Sequence, residues 1–132
     1  MFLSQLNQEE KVAFLELAHH IARSDSDFSN LQKEMINGYC VEMQIDKIDY
    51  DESQFDIYTT LSKIKDKRSK RIVILEIMAI IYADNFLHEK ERKVLEKILE
   101  EFDLSYHFSI VYGEWAKAMQ ALYTQANALI EL

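Results

Sequence analysis

The sequence contains no proline and only two glycines, Gly38 and Gly113, among its 132 residues. Hairpin turns depend heavily on these two residue types, so the sequence argues against a sheet protein with many tight turns. A hydrophobic fraction of 48%, with seven Phe and seven Tyr, argues equally against a disordered chain. We therefore predict an all-α protein that forms one domain over residues 1–132.

Cysteine is almost absent as well, because Cys40 stands alone and has no partner for an internal disulfide. That usage is typical of a reducing compartment. The N-terminal sequence MFLSQLNQEE has neither a basic start nor a sustained apolar run, so no secretion signal is predicted. From both observations we expect a cytoplasmic protein.

Positive charge is in deficit, since the formal net charge is -8 and the isoelectric point is about 5.0. Such a surface repels phosphate backbones, so nucleic acid is not an expected partner. The exception is the basic run from Lys63 to Arg71. We interpret this run as a solvated loop that follows the C-terminal end of a helix.

The longest apolar run extends from Ile72 to Ala83 and contains one charged residue, Glu76. It is shorter than the stretch of about 20 residues that a bilayer span needs, so no membrane span is predicted. We predict instead a helix at the centre of a bundle, with Ser69 as its N-cap. Glu76 is expected to pair with a basic residue of another helix or to lie on a narrow exposed stripe, rather than to act in catalysis.

Apolar residues recur at helical spacing on both sides of this run. Asn7 with Glu10, and Ser29 with Gln32, have the spacing of capping boxes. A shift of the sequence by 59 residues superimposes two segments without a gap, and the matched pairs include Ile21 with Ile80, Asp25 with Asp84, Ile36 with Leu95, and Glu42 with Glu101.

We therefore predict a compact helical bundle of about six to seven helices, built from two helix-turn-helix repeats around the central helix. The first repeat is expected over about 7–45 and a connector helix over about 51–66. The second repeat is expected over about 69–104 and a final covering helix over about 106–131.

Each repeat contains an acidic turn, with Asp25 and Asp27 in the first and Asp84 in the second. Such carboxylates commonly cap the helix that follows, and carboxylate oxygens also bind hard divalent cations. The first turn is not an EF-hand, because Asn30 replaces the glycine at the sixth position and Ile36 replaces the glutamate at the twelfth. Neither turn alone supplies the roughly six to eight oxygens that Ca²⁺ prefers, so a cation site needs both turns, water or a partner.

A metalloenzyme is the least favoured function. Glu16 and His19 have the Glu-x-x-His spacing of di-iron helical bundles, and His20 lies beside them. The second such pair is missing, since Leu75 and Met78 occupy the corresponding positions. The sequence has no glycine-rich phosphate loop and no Gly-x-Ser-x-Gly motif, so no catalytic residue is predicted.

The two turns resemble the motif of the TerB-like family, small all-helical domains named for a tellurite-resistance protein. In that family a helix ends in Ala-Asp-Gly and is followed by an acid, an apolar residue, a serine and a Glu-rich helix start. The matching segments run from Ser24 to Gln32 and from Ala83 to Glu91. Ser26 and Asn85 stand where the family has glycine. The resemblance extends over most of the chain, from about residue 6 to about residue 104.

The resemblance implies a candidate divalent cation, Ca²⁺, Mg²⁺ or Mn²⁺ rather than Zn²⁺, held by Asp25, Asp27, Asp84 and Glu91. Gln32 stands where the family has glutamate, which makes the first turn the weaker candidate. Family members act in tellurite and other chemical-stress responses, often within protein assemblies at the inner face of the membrane. A related domain begins a DnaJ-like co-chaperone.

From the residues and the resemblance together we predict a non-enzymatic binding module whose partners are other proteins. The alternative is a metal-free protein-interaction domain of the adaptor or co-chaperone type, in which the acids only cap helices. The least favoured function remains a metalloenzyme that uses Glu16, His19 and His20.

Overall fold

The computed structural model describes residues 1–24, 28–83 and 88–132. Within these ranges the protein has six α-helices, no strand, and a short 3-10 turn at Leu3–Gln5. The helices are α1 (Gln8–Arg23), α2 (Asn30–Met43), α3 (Ile57–Leu61), α4 (Lys67–Ile81), α5 (Glu89–Glu101) and α6 (Tyr106–Ile130). The prediction of an all-α bundle with about six helices is thereby confirmed.

Local hydrogen bonds define the N-terminal ends of the first two helices. The Glu10 amide donates to the Asn7 side chain at 2.9 Å, and the Asn7 amide donates to the Glu10 carboxylate at 2.9 Å. Ser29 and Gln32 form the same reciprocal pair, with both bonds at 3.1 Å. Both predicted capping boxes are confirmed, and each satisfies two backbone amides near the start of its helix.

The connector helix predicted over about 51–66 is present but much shorter, because only Ile57–Leu61 is helical there. Ahead of it, the Asp51 carboxylate accepts the Ser53 amide at 3.0 Å in a turn, which competes with helix formation. The helix begins after Asp56, whose side chain accepts the Thr59 amide at 3.3 Å. Local side-chain bonds therefore shorten this element to little more than one turn.

The start of the central helix also differs from the prediction. The Asp66 carboxylate accepts the Ser69 amide at 3.1 Å, so Asp66 is the N-cap of α4 and the assignment of Ser69 is wrong. The helix consequently begins at Lys67, and the segment from Lys67 to Arg71 lies in its first turns rather than in a loop. Of the basic run, only the part before Asp66 precedes the helix.

The two predicted repeats have matching C-terminal ends in the structure. Gln44 after α2 has a φ of 56°, and Asp103 after α5 has a φ of 55°, so both are in the left-handed conformation that closes many helices. The amides that follow bond back to the same relative carbonyls, Ile45 to Cys40 at 3.1 Å and Leu104 to Leu99 at 2.9 Å. The same 59-residue shift relates these positions.

Helices α1 and α4 form the centre of the bundle. Helix α4 packs against α1 and α6, while α1 also packs against α2, α3 and α5. The apolar run is buried as predicted, with Val73, Ile74 and Ile77 fully inaccessible. The α1 side chains Phe14 and Leu17 are equally inaccessible, so α1 shares the central position. In the described part of the chain, no helix combines the length and apolarity that a bilayer crossing requires.

Glu76 is buried in α4, where 3% of its surface is exposed, and it is paired with the N-terminal segment. Its Oε1 accepts the Phe2 amide at 2.8 Å and lies 3.0 Å from the α-amino nitrogen of Met1. The Glu42 carboxylate on α2 lies 2.7 Å from the same nitrogen. Both expectations for Glu76, an exposed stripe or a basic residue of another helix, are therefore wrong, because its cation comes from outside the helices.

Helix α6 covers α4 with its first half, while its second half is exposed and Tyr123 lines a cleft with Leu31 and Met35 of α2. A Cβ atom at Gly113 would lie 3.1 Å from the Tyr82 ring and 3.2 Å from the Met78 methyl carbon, so glycine permits this close approach. Beyond this contact the helix continues, and every residue from 121 to 132 is exposed.

Candidate functional site

Three of the four predicted metal ligands, Asp25, Asp27 and Asp84, lie outside the described residues. The fourth, Glu91, is fully buried at the start of α5, and its Oε1 accepts the His88 amide at 3.2 Å. Gln32, related to Glu91 by the 59-residue shift, makes the same bond to the amide of its own N-cap. Glu91 thus has a capping geometry. Over residues 1–24, 28–83 and 88–132 there is no group of three or more His, Cys, Asp or Glu side chains that could hold a metal.

The side chains of the least favoured metalloenzyme site are engaged with other residues. Glu16 accepts a hydrogen bond from the buried Thr60 hydroxyl at 2.8 Å. The His19 ring is stacked on Tyr50 with 5.1 Å between centroids, and His20 Nδ1 lies 3.0 Å from the Glu52 carboxylate. Tyr50 contacts both histidines, since its hydroxyl also lies 3.3 Å from His20 Nδ1, while Glu16 is bonded to Thr60.

Both histidines belong to an aromatic cluster at the C-terminal end of α1. The His20 ring is stacked on Phe55 at 4.4 Å, and the Arg23 guanidinium carbon lies 4.3 Å from the Phe28 ring centroid and 5.5 Å from the Tyr50 centroid. The rings hold the end of α1 against the segments on either side of it, and they fix the position of the arginine.

Burial lowers the pKa of both imidazoles below 6.5. The charge of Arg23 lowers the pKa of His19 further, and an Arg23 nitrogen lies 3.5 Å from His19 Nδ1, where a neutral ring can accept. For His20, the Glu52 carboxylate opposes the effect of burial and the charge of Lys97 adds to it. The influence of Lys97 shows that α5 brings positive charge close to this cluster.

An open cavity of about 550 Å³ lies between the end of α1 and α5, and we call it the α1–α5 cavity. Among the residues that the structure describes, its lining consists of His20, Arg23, Ser24, Phe28, Glu52, Lys90, Lys93, Val94 and Lys97. Four of these side chains are cationic and one is anionic, in a protein whose net charge is -8. The described lining is therefore a local concentration of positive charge on an acidic protein.

Sequence reasoning missed this cavity because its cations come from two distant helices. The only signal available was the spacing of Lys90, Lys93 and Lys97, three and four residues apart, which places them along one side of α5. Arg92 points elsewhere, since it pairs with Glu89 and Glu96 at 3.6 Å each. The packing of α5 against the end of α1, which brings these lysines close to Arg23, cannot be seen in the sequence.

A second surface is the exposed half of α6. Leu122 and Leu129 are 58% and 69% exposed, and Met119 and Ala126 complete a row spaced by three, four and three residues. No charged residue occurs from 118 to 130. We call Met119, Leu122, Ala126 and Leu129 the α6 stripe. An apolar row of this spacing is normally covered by another helix.

Comparison of the chain with family models, with curated proteins and with solved structures found no match in any of the three.

Proposed function

We propose that this protein is a non-enzymatic helical interaction module of the TerB-like kind, and that its working surface is the α6 stripe. The observation that carries the proposal is that α6 is exposed from residue 121 to its end at Ile130 and carries an apolar row, the α6 stripe, on this uncharged segment. Apolar patches left open on a folded protein commonly mark protein contacts. The wider role, as a component of stress-response assemblies, comes from the TerB-like resemblance.

The occupant that fits the α6 stripe is the same stripe of a second copy. Its spacing of three and four residues is the spacing by which two helices interlock along a seam. Ala126, placed between Leu122 and Leu129, leaves room for a leucine of the opposite helix. Because residues 118–130 carry no charge, two identical segments meet without repulsion.

The charge of the rest of the molecule favours an antiparallel orientation of the two α6 helices. Each copy has a net charge of -8, so parallel pairing would bring two acidic bundles side by side. Antiparallel pairing places the bundles at opposite ends of the seam. The uncharged segment spans about 20 Å, a short seam that supports a weak, reversible dimer rather than an obligate one.

Sedimentation over a wide range of protein concentration tests this proposal. We expect the wild-type mass to rise from monomer toward dimer, and a variant with Leu122→Ser and Leu129→Ser to stay monomeric with unchanged helical content. Val41→Ser is the matched control, because Val41 is 79% exposed on α2, and it should associate like the wild type. A wild type that is monomeric at every concentration, or a double variant that still dimerises, rules the proposal out.

A further inference from the structure

We propose that the α1–α5 cavity binds a small organic phosphate. The proposal rests on a different surface from the α6 stripe and does not depend on dimer formation. The observations behind it are four cationic side chains, a guanidinium stacked over an aromatic ring, and the size of the cavity.

The four cations have no carboxylate partner among the described residues. The ion pairs in those parts of the chain leave out Arg23, Lys90, Lys93 and Lys97. Glu52 is the one acid among the described lining residues, and it already accepts from the Tyr50 hydroxyl and contacts His20. The described part of the lining therefore has positive charge that a bound anion can neutralise.

The cations differ in how firmly they are held. Arg23 is exposed, but its guanidinium is stacked over Phe28 and lies 5.5 Å from the Tyr50 ring centroid, and these contacts restrict its planar donors before an anion binds. Lys93 and Lys97 are exposed on α5, and their flexible ammonium groups can adjust to phosphate oxygens. One fixed donor group and several adjustable ones suit an anion with several oxygens.

The size and the apolar lining indicate more than an inorganic ion. A volume of about 550 Å³ lies within the range of about 300–1,000 Å³ that is usual for small-molecule sites. Phe28 and Val94 supply apolar surface for the organic part. Because the protein as a whole repels polyanions, a small phosphate compound fits better than a nucleic acid.

The test is calorimetric titration of the full chain with pyrophosphate and with ATP, in chelator, so that no cation can mediate the binding. We expect saturable heat, with ATP binding more tightly than pyrophosphate because it adds an apolar group. Lys93→Gln and Lys97→Gln should each weaken ATP binding about tenfold, as expected for loss of one charge-assisted hydrogen bond.

The matched control is Arg92→Gln, which removes the same charge from the same helix but outside the cavity lining. It should change the affinity less than about twofold. A second readout is the methyl NMR signal of Val94, which lines the cavity, against that of Val41 on α2. Absence of heat with both probes, equal weakening by Arg92→Gln, or shifts at Val41 as large as those at Val94 each overturn the proposal.

Discussion

The α-amino group of Met1 lies between two carboxylates, those of Glu42 on α2 and Glu76 on α4. Burial lowers the pKa of this ammonium, but the hydrogen bond to Glu42 and the charge of Glu76 more than offset it, so the pKa is raised above 8.0. The Phe2 and Leu3 amides donate to the same two side chains. At the residue scale, one cation and two amides keep two acids together at the edge of the core.

This arrangement predicts a loss of stability at alkaline pH. A group whose folded pKa is raised stabilises the fold below its unfolded pKa, near 8.0, and loses that effect as the pH rises through the folded value. Deprotonation also leaves Glu42 and Glu76 facing each other without a cation. We expect the free energy of unfolding, measured by urea denaturation, to fall more between about pH 7 and about pH 9.5 in the wild type than in Glu76→Gln. Equal slopes in the two proteins contradict the role assigned to this ammonium.

At the element scale, the two glycines behave differently although both are helical. Around Gly38 in α2 there is nothing within 4 Å of where a Cβ atom would be, while Gly113 in α6 lies against Tyr82 and Met78 of the α4 end. The first glycine therefore only weakens its helix, and the second sets the distance between two helices.

The glycines can be compared directly by substitution. Gly38→Ala should stabilise the protein by about 0.5–1 kcal/mol, because alanine has the higher helix propensity and the added methyl group meets no neighbour. Gly113→Ala has the same propensity gain, but its Cβ approaches the Tyr82 ring to 3.1 Å, so the net gain should be smaller or negative. Urea midpoints measured in parallel decide the matter, and an equal gain at both positions contradicts the close packing of α6.

Helix ends were predictable where the capping bonds are local. Asn7 with Glu10, and Ser29 with Gln32, are each three residues apart, so the sequence shows both partners. At α4 two capping residues compete, and Asp66 prevails over Ser69 because its side chain accepts the Ser69 amide itself. Sequence spacing does not rank such neighbours, and the predicted bounds there were wrong.

At the scale of the whole molecule, features built from distant residues escaped prediction. The Phe2 amide and its acceptor Glu76 are 74 positions apart. The α1–α5 cavity likewise joins Arg23 to lysines of α5. The central apolar helix was predictable because an apolar run of this length must be buried, whatever it packs against. The partners of its buried carboxylate, Glu76, were not predictable, because they lie in the N-terminal segment.

The overall charge distribution separates the two proposed surfaces. The α6 stripe is uncharged and the α1–α5 cavity is positive, while the molecule carries a net charge of -8. The salt concentration should therefore act on them in opposite ways. Salt screens the attraction of a phosphate to the cavity, and it also screens the repulsion between two acidic copies that approach through α6.

Binding of a divalent cation at the acidic turns should affect the stability of the whole molecule. We expect Ca²⁺, Mg²⁺ or Mn²⁺ to raise the melting temperature relative to chelator, since a ligand that binds only the folded state stabilises it. Asp84→Asn keeps a capping oxygen but removes the charge, so it should weaken the metal response and change stability without metal by less than about 1 kcal/mol.

Glu91→Gln is the companion variant, because glutamine can still accept the His88 amide, as Gln32 does for Ser29. If Glu91 is a ligand, this variant weakens the metal response at unchanged stability without metal; if Glu91 only caps α5, both quantities stay at the wild-type value. If calorimetry shows no heat with Ca²⁺, Mg²⁺, Mn²⁺ and Zn²⁺ alike, the prediction of a bound divalent cation is wrong. In that case Glu91 only caps α5, as Gln32 caps α2.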